Sequence, residues 1–262
     1  MRRLAVLLAV ALAAALGAGA AGAGTARPLV VALNLPSPGF QVGAVIGTRV
    51  VFARGYEVDL AKEIARKLGR KVELVNVERF ASLYAPGPKP WDIALAEVTI
   101  SADRDANVDF SVAYLTADQG VLARKELVPT PTSIAGLRGL RLCALRGSTS
   151  ATLVSTTIAP TRKPALLTTM ELLLDRVRTG ACDAAVADMP ILATLRAEVP
   201  DRYGPIVGRI PTGESYGVVL PQGSALKPAV DDAIERLRRN GVLGRLAKRW
   251  LALDVSGVPV LR

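Results

Sequence analysis

Apolar strand-like runs and amphipathic helical stretches alternate along this chain, and the alternation occurs twice. Leu29 to Leu33 is a short valine-rich run bounded by Pro28 and by Pro36-Ser37-Pro38-Gly39, the pattern of a buried strand. Leu60, Ala61, Ile64, Ala65 and Leu68 recur at helical spacing, with Gly69 placed to end the helix. Val72, Leu74 and Val77 predict a second strand, the residues from Ala81 a second helix, and Asp92 to Ala96 a third strand. That order predicts a mainly parallel sheet with helices on both faces, whose ligands bind beyond the carboxyl ends of the strands.

The pattern restarts with a strand at Arg141 to Leu145, a helix after Gly147, a helix at Met170 to Val177 and a strand at Ala184 to Ala187, so a second lobe is expected. Tyr216 to Leu220 is strand-like. Leu226, Val230, Ile234 and Leu237 form a helical stripe that Asn240-Gly241 breaks before Val242 to Leu251 resumes it. These last helices have no sheet of their own to cover and are expected to return to the first lobe.

Ahead of both lobes, Arg2 and Arg3 precede an unbroken apolar run from Leu4 to Leu16 and small residues up to Ala26. This reads as a secretory signal that is cleaved or kept as an anchor. The remaining residues suffice for two ordinary domains. The formal charge of +10 is scattered over helix faces rather than massed in a tract, which argues against nucleic acid as a partner. The chain has no histidine, which excludes Ser-His-Asp and Cys-His catalysis and leaves no zinc set of the usual kind; no metal or cofactor is expected. An oxidising destination permits a disulfide between Cys143 and Cys182, and two separate buried thiols fit the spacing equally.

Five blocks carry a family resemblance over nearly the whole mature chain. They are Gly55-Tyr56-Glu57-Val58-Asp59-Leu60; Asp92 through Arg104 with Asp109-Phe110-Ser111; Gly147-Ser148-Thr149-Ser150; Asp183 to Asp188; and Tyr216 to Ser224, with Asn240-Gly241 and Trp250 in support. In this order and spacing they resemble the family 3 extracellular solute-binding proteins, the amino-acid receptors of ABC importers. The resemblance implies an α/β, two-lobed periplasmic-binding-protein-like fold of type II, each lobe a mainly parallel sheet flanked by helices, joined by two hinge strands. Residues 1–26 would be the signal, 27–115 and 214–262 the first lobe, and 116–213 the second, with hinges near Tyr114 to Asp118 and Thr212 to Tyr216.

The same resemblance implies a ligand clamp. Thr99 and Arg104 would meet the α-carboxylate of an amino acid; arginine's planar fork suits this bidentately, and Ser101 is a plausible N-cap beside it. Thr149 would close on the carboxylate from the second lobe, and Asp188 would hold the α-ammonium, since a zwitterion leaving water needs both charges matched. Asn34, Phe80 and Glu97 fall at side-chain pocket positions. Glu97 replaces a common glycine or serine, Asn34 a common aspartate and Ser37 a common aromatic. Glu97 favours a cationic or hydrogen-bond-donating ligand side chain, and Arg146 an acidic one; the sequence leaves the ligand open.

The implied molecule is an exported, monomeric binding protein whose partners are an amino acid and an importer's permease subunits, and not an enzyme. An enzyme on the same fold, such as a cyclohexadienyl or arogenate dehydratase, is the alternative reading.

Overall fold

The computed structural model describes residues 27–127 and 129–262, so the expected signal segment lies outside the described residues. Strand β1 (Leu29–Leu33) alternates as period two requires. Leu29, Val31 and Leu33 enter one core, and Ala32 enters another on the opposite face. Val42–Ile46 (β2) and Arg49–Arg54 (β3) form an antiparallel hairpin turned at Gly47-Thr48. Helix α1 (Tyr56–Lys67) starts where Gly55 adopts φ 131°; a Cβ there would lie 2.2 Å from the Phe40 carbonyl oxygen, so only glycine fits this close approach. Gly69 follows at φ 65°, as the helical spacing predicts.

Strand β4 (Val72–Asn76) runs parallel to β1 in register, from Leu29 opposite Val72 to Leu33 opposite Asn76. The helix expected from Ala81 is absent, and a single 3₁₀ turn, Phe80–Leu83, stands there instead. Pro86, Gly87, Pro88 and Pro90 follow at once and supply neither the N–H groups nor the backbone that another helical turn needs. The third strand is short, Ile93–Ala94 (β5), and also parallel to β1. The four-residue α2 (Ala102–Asp105) and β6 (Val108–Phe110) follow.

Strand β7 (Leu115–Ala123) carries the chain into the second sheet, built with α3 (Ile134–Leu137), β8 (Leu142–Leu145), α4 (Thr149–Leu153), β9 (Ala165–Leu167), α5 (Met170–Arg178), β10 (Ala184–Asp188) and α6 (Met189–Glu198). A π turn, Val154–Ile158, extends α4. Strand β11 (Ile206–Tyr216) pairs antiparallel with β7 and leads back, so β12 (Val219–Pro221) lies in the first sheet between β5 and β6. Helices α7 (Lys227–Arg239) and α8 (Val242–Trp250) then pack against α1, returning to the first core as expected.

The two sheets run β2-β3-β4-β1-β5-β12-β6 and β11-β7-β10-β8-β9. Parallel pairing is found at β4-β1-β5 and at β10-β8-β9, while the hairpin and the crossing strands β7 and β11 introduce antiparallel neighbours. The last residues depart from the expected division of the chain. Val260 bridges to Arg209, and Leu261 is buried in the second core, so the end of the segment 214–262 belongs with the second sheet. Burial of Leu261 explains the return.

Cys143 on β8 and Cys182 form a disulfide with Cα atoms 6.1 Å apart, tying β8 to the loop before β10. It closes a loop of 39 residues in sequence separation. Cross-linking a loop of that order restricts the unfolded chain by about 2–4 kcal/mol. Urea denaturation of the Cys143→Ser/Cys182→Ser variant is therefore expected to show a loss of that size.

Candidate functional site

Strand β10 and helix α6 meet at Asp188, which occupies the N-cap position of α6 without making a side-chain capping bond. Its carboxylate instead accepts hydrogen bonds from Tyr216 Oη, which donates to Oδ2 at 2.7 Å, and from Gln119 Nε2, which donates to Oδ1 at 2.7 Å; Ser150 Oγ lies 3.2 Å from Oδ1 and donates to Gln119 Oε1 at 2.6 Å. Burial pushes the Asp188 carboxyl above its ordinary value; the Tyr216 bond opposes that, and the nearby charge of Glu214 adds to it. A carboxylate held in this way, with no cation paired to it among the described residues, is a ready counter-charge for an ammonium ion.

Arg104 lies on α2, whose N-cap position Ser101 occupies as expected, although the Ser101 hydroxyl makes no capping bond. The guanidinium is buried between the lobes. Nη1 donates to the Thr99 carbonyl at 2.8 Å and Nη2 to the Gly147 carbonyl at 3.1 Å, while the group stacks over Tyr84 with its carbon 4.4 Å from the ring centre. Tyr84 Oη donates to the same Gly147 carbonyl at 2.7 Å. Gly147 has φ 80°, and a Cβ on it would lie 2.7 Å from Tyr84 Oη, so the lobes meet where no side chain can stand.

Thr99 and Thr149 also come together, but through a group the sequence reading did not single out. Thr99 Oγ1 donates to Glu214 Oε2 at 3.0 Å, and Thr149 Oγ1 donates to the same oxygen at 2.5 Å. Glu214 sits on β11, beyond a register shift in its pairing with β7.

Glu97 is buried at φ 49°, a left-handed conformation uncommon for a residue with a side chain, at the position where the family resemblance implies glycine or serine. Behind it lies Glu57, fully buried on α1. The Glu57 carboxylate accepts from the Glu97 backbone N–H at 2.8 Å, from Gln41 Nε2 at 3.0 Å and from the Tyr114 hydroxyl. Burial pushes Glu57 up to about 7 despite these bonds. Glu97 is raised well above the carboxylate range, first by burial and then by the Glu57 charge. Two adjacent carboxyls cannot both ionise cheaply. With three donors on Glu57, the proton of the pair belongs to Glu97.

Asn34, Phe80 and Glu97 from the first lobe line one cavity together with Asp188, Ser148, Ser150, Met170 and Ile191. Asn34 contributes its body rather than a free amide, because Nδ2 donates to the Val77 carbonyl at 2.6 Å and to Glu78 at 3.2 Å. Arg104, Thr149 and Glu214 line an adjoining, wider opening that shares Ser148 with the first. Arg146 donates to the Leu166 carbonyl and lines neither cavity, so the cation that would favour an acidic side chain is turned away.

Gln41, Gln119 and Glu214 escaped the sequence reading, while Glu57 and Ser150 stood in its motif blocks without a role of their own. Glu57 carried a usable signal, since it precedes Leu60, Ala61 and Ile64 by three, four and seven residues and so shares their buried face. Gln119 likewise interrupts the apolar face of β7 set by Ala117, Val121 and Ala123.

Residues 51–253 match the bacterial extracellular solute-binding proteins, family 3. The ABC transporter glutamine-binding protein of Bacillus subtilis (strain 168) is 25% identical over 204 residues, 76% of this chain and 73% of that protein. An ancestral arginine-binding protein bound to arginine has the same fold at a TM-score of 0.74 and 26% identity, covering 86% of this chain and 99% of that one. An ancestral arginine-binding protein bound to glutamine gives a TM-score of 0.75 and 28% identity over 85% of this chain and 97% of that one. With the match spanning residues 51–253, well over half of its length, this chain belongs to the bacterial extracellular solute-binding proteins, family 3.

Proposed function

We propose that this chain captures a free amino acid between its lobes outside the cytoplasm, as a monomer, and delivers it to the permease subunits of an ABC importer. One observation carries the reading: two buried groups of opposite charge, Arg104 and Asp188, stand on different lobes and line adjoining cavities that share Ser148. Arg104, Thr99 and Thr149 receive the α-carboxylate and Asp188 the α-ammonium. Because the two sets stand on different lobes, the ligand favours the closed arrangement.

The rest of the pocket points to a cationic or strongly donating side chain. Besides Asp188, the ionisable residue on the cavity wall is Glu97, and Arg146 is directed elsewhere. Burial and the neighbouring Glu57 charge raise Glu97 well above its ordinary value, which favours its protonated form in the empty protein. A cationic side chain favours the ionised form, so binding expels that proton and tightens as pH rises above the ordinary value of 4.5 toward the raised one. Titration calorimetry from pH 5 to 8 should show L-arginine affinity climbing with pH by up to about tenfold per unit. L-glutamine, which has no charge to pair, should change far less. Parallel curves for the two would remove the role given to Glu97.

A carboxyl that keeps its proton is also what a general acid requires, so Glu97 keeps the dehydratase alternative in view. Incubation with prephenate separates the readings: an aromatic product supports catalysis, and recovered prephenate supports binding alone.

A further inference from the structure

Glu214 stands where the proposed ligand should place its own carboxylate. Between Ile210 opposite Gln119 and Glu214 opposite Ala117, strand β11 advances four residues while β7 advances two. An irregularity of this kind bends a strand and re-aims its side chains. Here it directs the Glu214 carboxylate onto Thr99 at 3.0 Å and Thr149 at 2.5 Å, with Gln119 Nε2 3.3 Å from each of its oxygens. Thr99 reaches it from the first lobe and Thr149 from the second. A hydroxyl has one proton to donate. While both point at Glu214, neither can serve a second carboxylate, and two carboxylates there would also repel.

We propose that Glu214 is a built-in competitor, a side-chain carboxylate on the crossing strand that fills the ligand's α-carboxylate subsite and bridges the lobes until an amino acid displaces it. The inference rests on the clamp assignment above. Glu214 also borders a second, partly open cavity lined by Leu115, Thr116, Asp118, Met189 and Pro190, into which its side chain can swing toward solvent. Any state that stabilises the unliganded protein in this way lowers apparent affinity by the fraction of molecules it occupies. The device sets a threshold for ligand binding and discriminates by what the ligand must replace.

The test uses Glu214→Gln and Glu214→Ala with two probes, L-arginine and its decarboxylated counterpart agmatine, by titration calorimetry. Both variants should bind L-arginine at least tenfold more tightly than wild type, while agmatine, which does not need the subsite, gains less than twofold. In solution scattering without ligand, Glu214→Ala should have a larger radius of gyration than wild type, because the bridge between lobes is gone. L-arginine affinity that is unchanged or weaker in both variants overturns the proposal, as does an equal gain for agmatine. Unliganded Glu214→Ala as compact as wild type overturns the bridge without reference to any ligand. Failure of the clamp reading is separately visible, as L-arginine binding that Arg104→Ala leaves intact.

Discussion

Arg104→Ala is expected to weaken amino-acid binding by at least about a hundredfold while the two-lobed fold survives. Hydrogen bonds to a charged partner contribute about 1.5–3 kcal/mol each, so losing a bidentate pair removes roughly 3 kcal/mol or more, and every 1.4 kcal/mol is tenfold. The guanidinium is held ready by two carbonyls and the face of Tyr84, which leaves its remaining N–H groups free to point at a ligand. Its removal leaves the buried Thr99 carbonyl without that donor, a cost to folding of about 1–3 kcal/mol, while the Gly147 carbonyl keeps its bond from Tyr84 and borders the open cleft. Arg104→Lys keeps a charge without the planar fork and should fall between the two. Calorimetry with L-arginine and a melting curve for each variant check both halves of the expectation.

Asp188→Asn should have a comparable effect on affinity and the opposite effect on stability. Without the carboxylate the ligand's ammonium is left in a closed cleft with no counter-charge, a situation that costs several kcal/mol. The fold, in contrast, is relieved. Burial raises the Asp188 carboxyl above its ordinary value of 3.8, so the folded protein retains a proton that the unfolded chain has already released. Stability from that group is complete below 3.8 and declines as pH rises through the raised value, so at neutral pH the ionised carboxylate works against folding. Asparagine keeps the shape and can still meet Tyr216, Gln119 and Ser150. Denaturation at pH 7 should find the variant at least as stable as wild type, and its stability should fall less steeply with pH. Loss of affinity accompanied by a large loss of stability would make Asp188 a structural residue instead.

Periodicity is visible in a sequence only where one face of an element is buried and the other is not. That condition holds for α1, α5, α7 and α8; β1 and β10 are buried on both faces and were legible instead as short continuous apolar runs. The β2-β3 hairpin exposes Val45, Ile46 and Phe52, so its apolar residues mark no core face and the strands went unread. At Phe80 the prolines that follow overrode an apparent helix start. The clamp positions were placed by motif, which locates a side chain without saying what it touches. Glu214 has no motif and no period; only the irregular pairing of β11 with β7 brings it to Thr99 and Thr149. The acidic pair Glu57 and Glu97 joins positions forty residues apart, beyond the reach of any local pattern.

The central claim is that the cleft recognises both ends of a free amino acid. Titration calorimetry with the twenty common amino acids, followed by the methyl ester and the Nα-acetyl derivative of whichever binds most tightly, tests it most directly. The predicted result is saturable one-to-one binding by at least one amino acid, with affinity lost in the ester, which cannot satisfy Arg104, and in the acetylated form, which cannot satisfy Asp188. Binding by none of the twenty, or undiminished affinity for either derivative, would contradict it.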